Sequence, residues 1–147
     1  MVGRSMRVIL NGGKASGAQL ESALDAVRRR GHRTDIQVTN RTDGAASLSR
    51  QAVEDGIDVI VAAGGDGTVN EVINGIFAAS AEPEVTMAVL PLGSANDFAR
   101  SCGISPGSPH DTLLMAAHSE PTEIDVGCVN QHYFLNAVIG GFGAAAT

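Results

Sequence analysis

Residues 62–72 (Ala-Ala-Gly-Gly-Asp-Gly-Thr-Val-Asn-Glu-Val) combine the residue types that can bind a phosphate group. Gly64, Gly65 and Gly67 lack a Cβ atom, so the backbone can approach a ligand closely there. The N–H groups at the start of the helix predicted to follow face the same point, where the helix dipole favours an anion. The segment therefore predicts a phosphate-binding turn, and one without the lysine that many such turns contain.

Asp66 stands between two of these glycines, and its carboxylate cannot neutralise a phosphate. A carboxylate here suits Mg²⁺, which prefers oxygen ligands, or the N–H groups of the loop itself. Thr68 and Glu71 have the spacing of a capping box at a helix start, and we expect Thr68 to contact phosphate as well. The turn is thus predicted to bind an anion, with Asp66 close to the metal that accompanies it.

The elements that must position this turn alternate between strands and helices. The apolar segment 57–62 before the turn is predicted as a strand that is buried on both faces, as in a parallel sheet. After the turn, apolar residues recur with a clear helical period at Val69, Val72, Ile73, Ile76 and Phe77. Further strands are predicted at 6–10, 35–39 and 85–90. The order predicts an α/β fold, a parallel-sheet, Rossmann-like domain with helices on both faces.

Three other polar segments follow strands of this predicted sheet. Residues 11–14 (Asn-Gly-Gly-Lys) follow the first strand, Thr39 ends the second, and residues 91–100 follow the fourth. Parallel sheets of this kind bind ligands at the carboxyl ends of their strands. We therefore expect these segments and the glycine turn to face one cleft.

The alternation changes beyond a helix that is predicted to start at Ser108-Pro109. Residues 123–129 and 132–138 are predicted as two strands joined by a tight turn. We place a domain boundary here, with an α/β domain at 1–120 and the first β-hairpin of a second, β-rich domain at 121–147. A hairpin with an apolar continuation is not stable alone, so we expect the chain to be part of a longer protein.

Composition excludes several classes of partner. The net charge is −6, with 16 acidic residues against 10 Lys and Arg, so nucleic acid is excluded as a partner. No apolar run approaches the ~18 residues of a membrane span. Cys102 and Cys128 follow no metal or redox pattern and are predicted to be reduced, partly buried thiols of a cytoplasmic protein. The four histidines show no metal-ligand spacing, and the basic run 28–30 is interpreted as a solvated helix end rather than a lipid-headgroup patch.

Two motifs taken together identify a family. Gly-Gly-Asp-Gly-Thr-Val-Asn-Glu-Val at 64–72 and Pro-Leu-Gly-Ser-Ala-Asn-Asp-Phe-Ala at 91–99 resemble the catalytic domain of the diacylglycerol kinase family, in particular its soluble bacterial lipid kinases. The resemblance covers essentially the whole chain. It implies transfer of the γ-phosphate of ATP to a lipid hydroxyl, with Mg²⁺.

The resemblance also implies roles for individual residues. The nucleotide phosphates would be held by Gly64, Gly65, Asp66, Gly67, Thr68, Val69 and Asn70. The rest of the nucleotide site would be lined by Asn11, Lys14 and Thr39, together with Ser94, which stands where the family usually has threonine. Asn96, with Asp97, would fix the loop beside the phosphates, while Asp125 and Asn136 match the entry to the second domain. No role is implied for residues 43–45, which depart from the family pattern.

By the same resemblance, the general base and the lipid pocket lie in the second domain, beyond Thr147, so no catalytic base is assigned in this chain. The acceptor stays open among diacylglycerol, a monoacylglycerol, a sphingoid base and phosphatidylglycerol. Contact with the inner membrane face, where it occurs, is expected to be peripheral. Two alternatives remain: an NAD or sugar-phosphate kinase that uses the same turn, and a non-catalytic module that only binds nucleotide.

Overall fold

A four-stranded parallel sheet forms the centre of the computed structural model, which describes residues 3–12, 17–80 and 82–136. The strands are β1 (Ser5–Asn11), β2 (Arg33–Thr39), β3 (Val59–Gly64) and β4 (Thr86–Pro91), in the order β2-β1-β3-β4. The helices are α1 (Gly17–Arg28), α2 (Gly44–Glu54), α3 (Asp66–Ala79), α4 (Asp97–Ser101) and α5 (Pro109–His118). A small antiparallel sheet, β5 (Gly127–Val129) with β6 (His132–Phe134), follows. The predicted parallel α/β architecture is confirmed.

The sheet is covered by helices on both faces. On one face, α1 and α5 pack over side chains that include Val8 and Val61. On the other, α2, α3 and Phe98 of α4 pack over Ile9 and Ile60. Because alternate residues of β1 and β3 enter opposite cores, the apolar residues of both strands are buried, as predicted for a parallel sheet.

Several boundaries differ from the predicted ones. β3 begins two residues later than predicted, because the Asp58 side chain accepts hydrogen bonds from the backbone N–H and the hydroxyl of Ser5 at 2.6 and 2.7 Å. The hairpin strands have three residues each, and at their turn Asn130 and Gln131 have φ angles of 48° and 66°. Two successive positive φ angles match the right-handed twist of a short hairpin.

The start of α3 corrects the predicted capping box. Its N-cap is Gly65, whose carbonyl accepts the first helical hydrogen bond from Val69 N at 3.1 Å. Thr68 therefore lies inside the first turn and cannot be the N-cap. Glu71 instead reaches the neighbouring helix, where its carboxylate accepts a hydrogen bond from Ala45 N at 3.0 Å near the start of α2.

Surface features of the described chain bear on other predictions. Cys102 and Cys128 are both exposed and unpaired, so the prediction of partly buried thiols was wrong. Arg28 is ion-paired with Asp25 at 2.8 Å, which agrees with a solvated helix end. Among the described residues, none of the helices has the length and apolar character needed to cross a membrane. The proposed division near residue 120 stays a prediction.

Candidate functional site

The glycine turn lies where the order of the strands reverses. β1 neighbours β2 on one side and β3 on the other, so the carboxyl ends of β1 and β3 flank the switch point at which open α/β sheets bind ligands. Asn11 ends β1, and its side-chain amide donates a hydrogen bond to the Thr68 hydroxyl at 3.1 Å. This bond ties the end of β1 to the first turn of α3, as the convergence of the two segments predicts.

The turn presents backbone rather than side chains to solvent. Because the first helical hydrogen bond is made by Val69, the N–H groups of Asp66, Gly67 and Thr68 have no partner within α3. A Cβ added to Gly67 would find no described atom within 4 Å. The helix therefore starts with free donors beside open space, which is the geometry of an anion site.

Two of the predicted phosphate-binding residues turn their side chains inward. Thr68 is 3% exposed and Val69 is 4% exposed. A Cβ on Gly64 would overlap the Thr68 hydroxyl, so the absence of a side chain at Gly64 makes room for that hydroxyl. Thr68 and Val69 can therefore offer a ligand only their backbone groups, and the N–H of Val69 is already bonded within the helix.

A second glycine loop crosses the first. A Cβ on Gly65 would lie 3.1 Å from the Gly93 Cα, and one on Gly93 would overlap Gly65. Asn96 closes this loop, since its Oδ1 accepts from Gly93 N at 2.9 Å and its Nδ2 donates to Gly93 O at 2.8 Å. Asn96 is 5% exposed with a φ of 53°, whereas Ser94 is exposed at the loop. The predicted role of Asn96 in fixing the loop agrees with these contacts.

Asp66 connects the glycine turn to the second loop. Its carboxylate accepts hydrogen bonds from the backbone N–H groups of Asp97 and Phe98, at 3.0 and 3.1 Å, and from the Asn136 amide at 3.3 Å. Burial disfavours the charged carboxylate, but the bonds from Phe98, Asp97 and Asn136 outweigh it and lower the pKa of Asp66. The carboxylate thus holds the start of α4, a different loop from the one predicted.

These contacts leave Asp66 poorly suited to bind magnesium directly. Three hydrogen-bond donors already occupy its two oxygens. Within residues 3–12, 17–80 and 82–136, no group of three His, Cys, Asp or Glu side chains could hold a metal ion. Mg²⁺ often binds through one or two carboxylates together with substrate phosphates. The described residues alone therefore do not form a magnesium site.

Thr39 organises the loop that follows β2. It is 9% exposed, its carbonyl accepts from Gly12 N at 2.6 Å, and its hydroxyl accepts from Arg41 N at 3.3 Å. A Cβ on Gly44 would overlap that hydroxyl, so α2 starts directly against Thr39. Thr39 therefore joins the β1 and β2 loops at one edge. Lys14, predicted in the same region, lies outside the described residues.

The β5–β6 hairpin approaches the site from the side of α3. The Asn70 amide points to the hairpin and donates to Tyr133 O at 3.3 Å. Asn74, one helical turn further, makes shorter bonds to the same residue. Asp125 is exposed in the segment before β5. Asn74 was not predicted as a site residue. A polar residue four positions after Asn70, on the same face of an otherwise apolar helix, could have indicated it.

Gly93 was also missed as an individual site residue. Its glycine stands in the second motif, but the contact that requires it is with Gly65, 28 positions earlier in the chain. A signal was available in the strand order, because parallel β3 and β4 place the loops that follow them side by side. Residues that follow adjacent parallel strands are therefore the ones to test for close approach.

A groove of the described chain lies away from the turn. It measures about 810 Å³ and runs beside β4, with α3 and residues 121–126 as its other walls. Ile73, Phe77, Met87 and Ile124 give it an apolar lining. The phosphate turn is instead an open edge of the sheet, which suits a ligand that is held through backbone donors.

Two of the four histidines, which show no metal-ligand spacing in the sequence, contact each other away from the glycine turn. The Nε2 atoms of His32 and His118 lie 3.4 Å apart, and Arg4 N donates to His32 Nδ1 at 3.1 Å. With Nδ1 accepting, the proton of neutral His32 lies on Nε2, which removes that nitrogen as a metal ligand.

Comparisons with known proteins agree with this geometry. Residues 5–129 match the family described as the diacylglycerol kinase catalytic domain. A "Probable lipid kinase YegS-like" protein of Chromohalobacter salexigens is 41% identical over 140 residues, which cover 95% of this chain and 45% of that protein. One of the same description from Shewanella frigidimarina is 37% identical and covers 97% of this chain and 46% of its own length.

The fold is similar to solved structures as well. One, described as a diacylglycerol kinase from Bacillus anthracis str. Sterne, superposes with a TM-score of 0.73 at 25% identity and covers 90% of this chain and 46% of that chain. The chain thus spans about half the length of the curated relatives it matches. Since the family match extends over both glycine loops and the sheet that positions them, the chain belongs to the diacylglycerol kinase catalytic domain family.

Proposed function

We propose that this chain binds ATP at the glycine turn and supplies the nucleotide site of a lipid kinase. One observation supports this above the others: the first N–H groups of α3 have no partner within the helix, at the switch point of the sheet and beside the open space at Gly67. Asp66, Gly67 and Thr68 offer three backbone donors there. Donors of this kind bind phosphate oxygens without requiring a basic side chain.

The remaining site residues divide by what they do for the turn. Gly64 and Gly65 allow its close packing, and Asn96 holds the second loop against it. Asn11 and Thr39 line the edge beside the turn, and Ser94 is exposed on the second loop. We propose that these residues, with Lys14, surround the nucleotide, whereas Val69 is committed to the core and the first helical hydrogen bond and Asn70 to the hairpin.

Mg²⁺ enters this proposal as a companion of ATP. The described carboxylates form no metal site of their own. We therefore propose that the nucleotide phosphates supply most of the ligands of Mg²⁺. When bound, the metal would neutralise phosphate charge. The chain's own contribution is to position the phosphates through backbone donors and to hold the two loops rigid.

The acceptor is proposed to be a lipid hydroxyl. The support is the family match and the names of the two relatives, both of which are called lipid kinases. In the reaction, the hydroxyl oxygen bonds to the γ-phosphorus, the bond to the bridging oxygen breaks, and ADP leaves while the hydroxyl proton passes to a base. We further propose that the enzyme works in the cytoplasm and reaches its lipid acceptor through peripheral contact at the inner membrane face.

Calorimetric titration of the chain with ATP at fixed Mg²⁺ tests the nucleotide site. We expect saturable binding by the wild-type chain and a marked loss in Gly67→Ala, because the new methyl group would occupy open space beside the turn where we propose that the phosphates bind. The same change should leave the fold intact, since that methyl group meets no described atom. An Asp66→Ala variant is less informative, because it also releases the start of α4.

Gly107→Ala is the matched control, since its new methyl group would make only an ordinary contact, 3.7 Å from Ser105 O. Binding by this variant should equal that of the wild-type chain. Wild-type affinity in Gly67→Ala would contradict a phosphate at the turn. Tighter binding of NAD than of ATP would favour an NAD kinase instead.

A further inference from the structure

One face of α3 contacts the hairpin and the residues that follow it. Asp66, Asn70, Asn74 and Phe77 are spaced by four, four and three residues, which places them on one face of the helix. The Asp66 carboxylate accepts a hydrogen bond from the Asn136 amide. The side chains of Asn70, Asn74 and Phe77 all contact Tyr133. One helix face thus connects the phosphate turn, at its first residue, to the hairpin.

Asn74 makes the most complete of these contacts. Its Oδ1 accepts from Tyr133 N at 2.9 Å, and its Nδ2 donates to Tyr133 O at 2.9 Å and to Asn70 O at 2.9 Å. The oxygen and both amide hydrogens therefore have partners. A side chain that bonds both backbone groups of one strand residue does what a neighbouring strand would do.

The hairpin needs such a partner. Two strands of three residues are at best marginally stable in water, and Tyr133 would otherwise leave its N–H and C=O unpaired at the outer edge of β6. The Tyr133 ring adds to the docking, since it stacks on Phe77 with ring centroids 4.2 Å apart and planes 11° apart. Asn74 and Phe77 thus fix where the hairpin lies on α3.

The docked hairpin in turn reaches the phosphate turn. Asn136, three residues after Tyr133, donates to Asp66 Oδ1 at 3.3 Å, and the same oxygen accepts from Phe98 N at 3.1 Å. A hairpin that left Asn74 would withdraw Asn136 and release one of the three donors that hold the Asp66 carboxylate. The position of the hairpin and the order of both glycine loops are therefore linked through one carboxylate.

We propose that Asn74 is a positioning residue, which docks the β5–β6 hairpin on α3 and thereby stabilises the ATP-binding form of the glycine turn without touching ATP. This inference rests on the proposed ATP site. Because coupling between two sites is reciprocal, ATP should also strengthen the docking of the hairpin.

The sequence provides a specific reporter, because Tyr133 is the single tyrosine of the chain. Its ring protons, shifted by the stacked Phe77 ring, report docking by NMR. We expect Asn74→Ala to return these signals towards free-tyrosine positions and to raise the ATP dissociation constant by about fivefold or more, the lower end for coupled sites. In the wild-type chain, ATP should slow hydrogen exchange of the Tyr133 amide.

Gln51→Ala is the control, since it removes a comparable exposed amide bond, to Asp55 at 2.9 Å, on a different helix. Its ATP affinity should stay within about twofold of the wild type. Asn74→Asp, which retains the acceptor for Tyr133 N but loses both donors, should lie between the wild type and Asn74→Ala, and it serves if the alanine variant does not fold.

Two results would overturn the inference. In one, Asn74→Ala shows a free Tyr133 ring and binds ATP as Gln51→Ala does, so that the hairpin has no influence on the turn. In the other, the Tyr133 signals do not change, so that Asn74 does not dock the hairpin. Absence of ATP binding in the wild-type chain would instead refute the proposed function, and with it the coupling, while the Tyr133 signals would still decide the docking role.

Discussion

At the scale of single residues, Asp66 shows how a carboxylate can serve an anion site without binding the anion. It stands in the first turn of α3, where a negative charge is favoured by the helix dipole but opposes a bound phosphate. The Asp66 carboxylate accepts hydrogen bonds from the N–H groups of Asp97 and Phe98. Its negative charge is therefore used to hold the neighbouring loop, although that charge would repel a phosphate. The residue between the glycines is thus a structural support of the site.

Replacing Asp66 with Asn should change how stability depends on pH. The folded-state pKa lies below the unfolded value of about 3.9, so the folded chain binds fewer protons and gains stability above that pH. This gain is lost as the pH falls through the folded-state pKa. Urea unfolding of the wild-type chain should therefore show a steeper loss of stability below about pH 5 than unfolding of Asp66→Asn.

Other carboxylates titrate in the same window and provide the internal reference. Hydrogen bonds from Arg7 lower the pKa of Asp55, and hydrogen bonds from Ser5 lower the pKa of Asp58. Asp55 and Asp58 are unchanged between the wild-type chain and Asp66→Asn. The difference between the pH profiles of the two proteins therefore isolates the contribution of Asp66. Parallel profiles would show that its hydrogen bonds to α4 contribute nothing to folding.

At the scale of elements, α3 holds two glycines with opposite surroundings. A Cβ on Gly75 would overlap Ala46 O and the Ser49 hydroxyl, so Gly75 lets α2 and α3 pack closely. Gly67, in the first turn of the same helix, has open space beside it. Substituting alanine at each of the two positions separates the effect of helix propensity from the effect of packing.

Gly75→Ala should destabilise the fold although alanine favours helix. The gain in helix propensity is about 1 kcal/mol, whereas overpacking against backbone costs about 1–3 kcal/mol, and here the overlap is with a carbonyl oxygen. Urea denaturation should give a lower midpoint for Gly75→Ala and an equal or higher one for Gly67→Ala. An unchanged midpoint for Gly75→Ala would mean that the two helices separate at no cost.

Helices and strands with a long apolar pattern were predicted from the sequence more accurately than short ones. α3 was predicted because five apolar residues repeat with a helical period, and β1 and β3 because each contains an apolar run, at 8–10 and at 59–63. α4 was not predicted, since five residues give little more than one turn of periodicity. The hairpin strands were predicted too long, because their apolar pattern continues beyond the residues that pair.

The sequence indicated which segments lie at one edge of the sheet, but not the direction of their side chains. The carboxyl ends of the strands place Asn11 against Thr68 and Gly12 against Thr39. That the Thr68 hydroxyl turns inward, or that Asp66 holds α4, depends on contacts between residues distant in sequence. Local sequence patterns contain no information on such contacts.

At the scale of the whole molecule, the proposed phosphate site has Asp66 as the carboxylate within its turn. The lowered pKa of Asp66, together with its three hydrogen bonds, makes it a poor base. ATP binding and phosphate transfer are therefore expected to depend on different residues.

The purified chain should accordingly bind ATP without phosphorylating lipid. Radiolabelled γ-phosphate and diacylglycerol vesicles provide the assay, with a full-length relative as the positive control. Transfer above the level of a Gly67→Ala preparation would contradict this expectation and would require a base among the 147 residues.

The crossing of Gly65 and Gly93 has a consequence for how such proteins can diverge. A side chain at Gly93 would overlap the backbone of Gly65, and one at Gly65 would crowd that of Gly93, so folding alone favours both glycines whether or not a nucleotide is bound. Gly67 is free of that constraint, and selection for ligand binding alone would retain it. A descendant that abandoned phosphate chemistry could thus lose Gly67 early while keeping Gly65 and Gly93, so these three positions together would distinguish a degenerate copy from a working one.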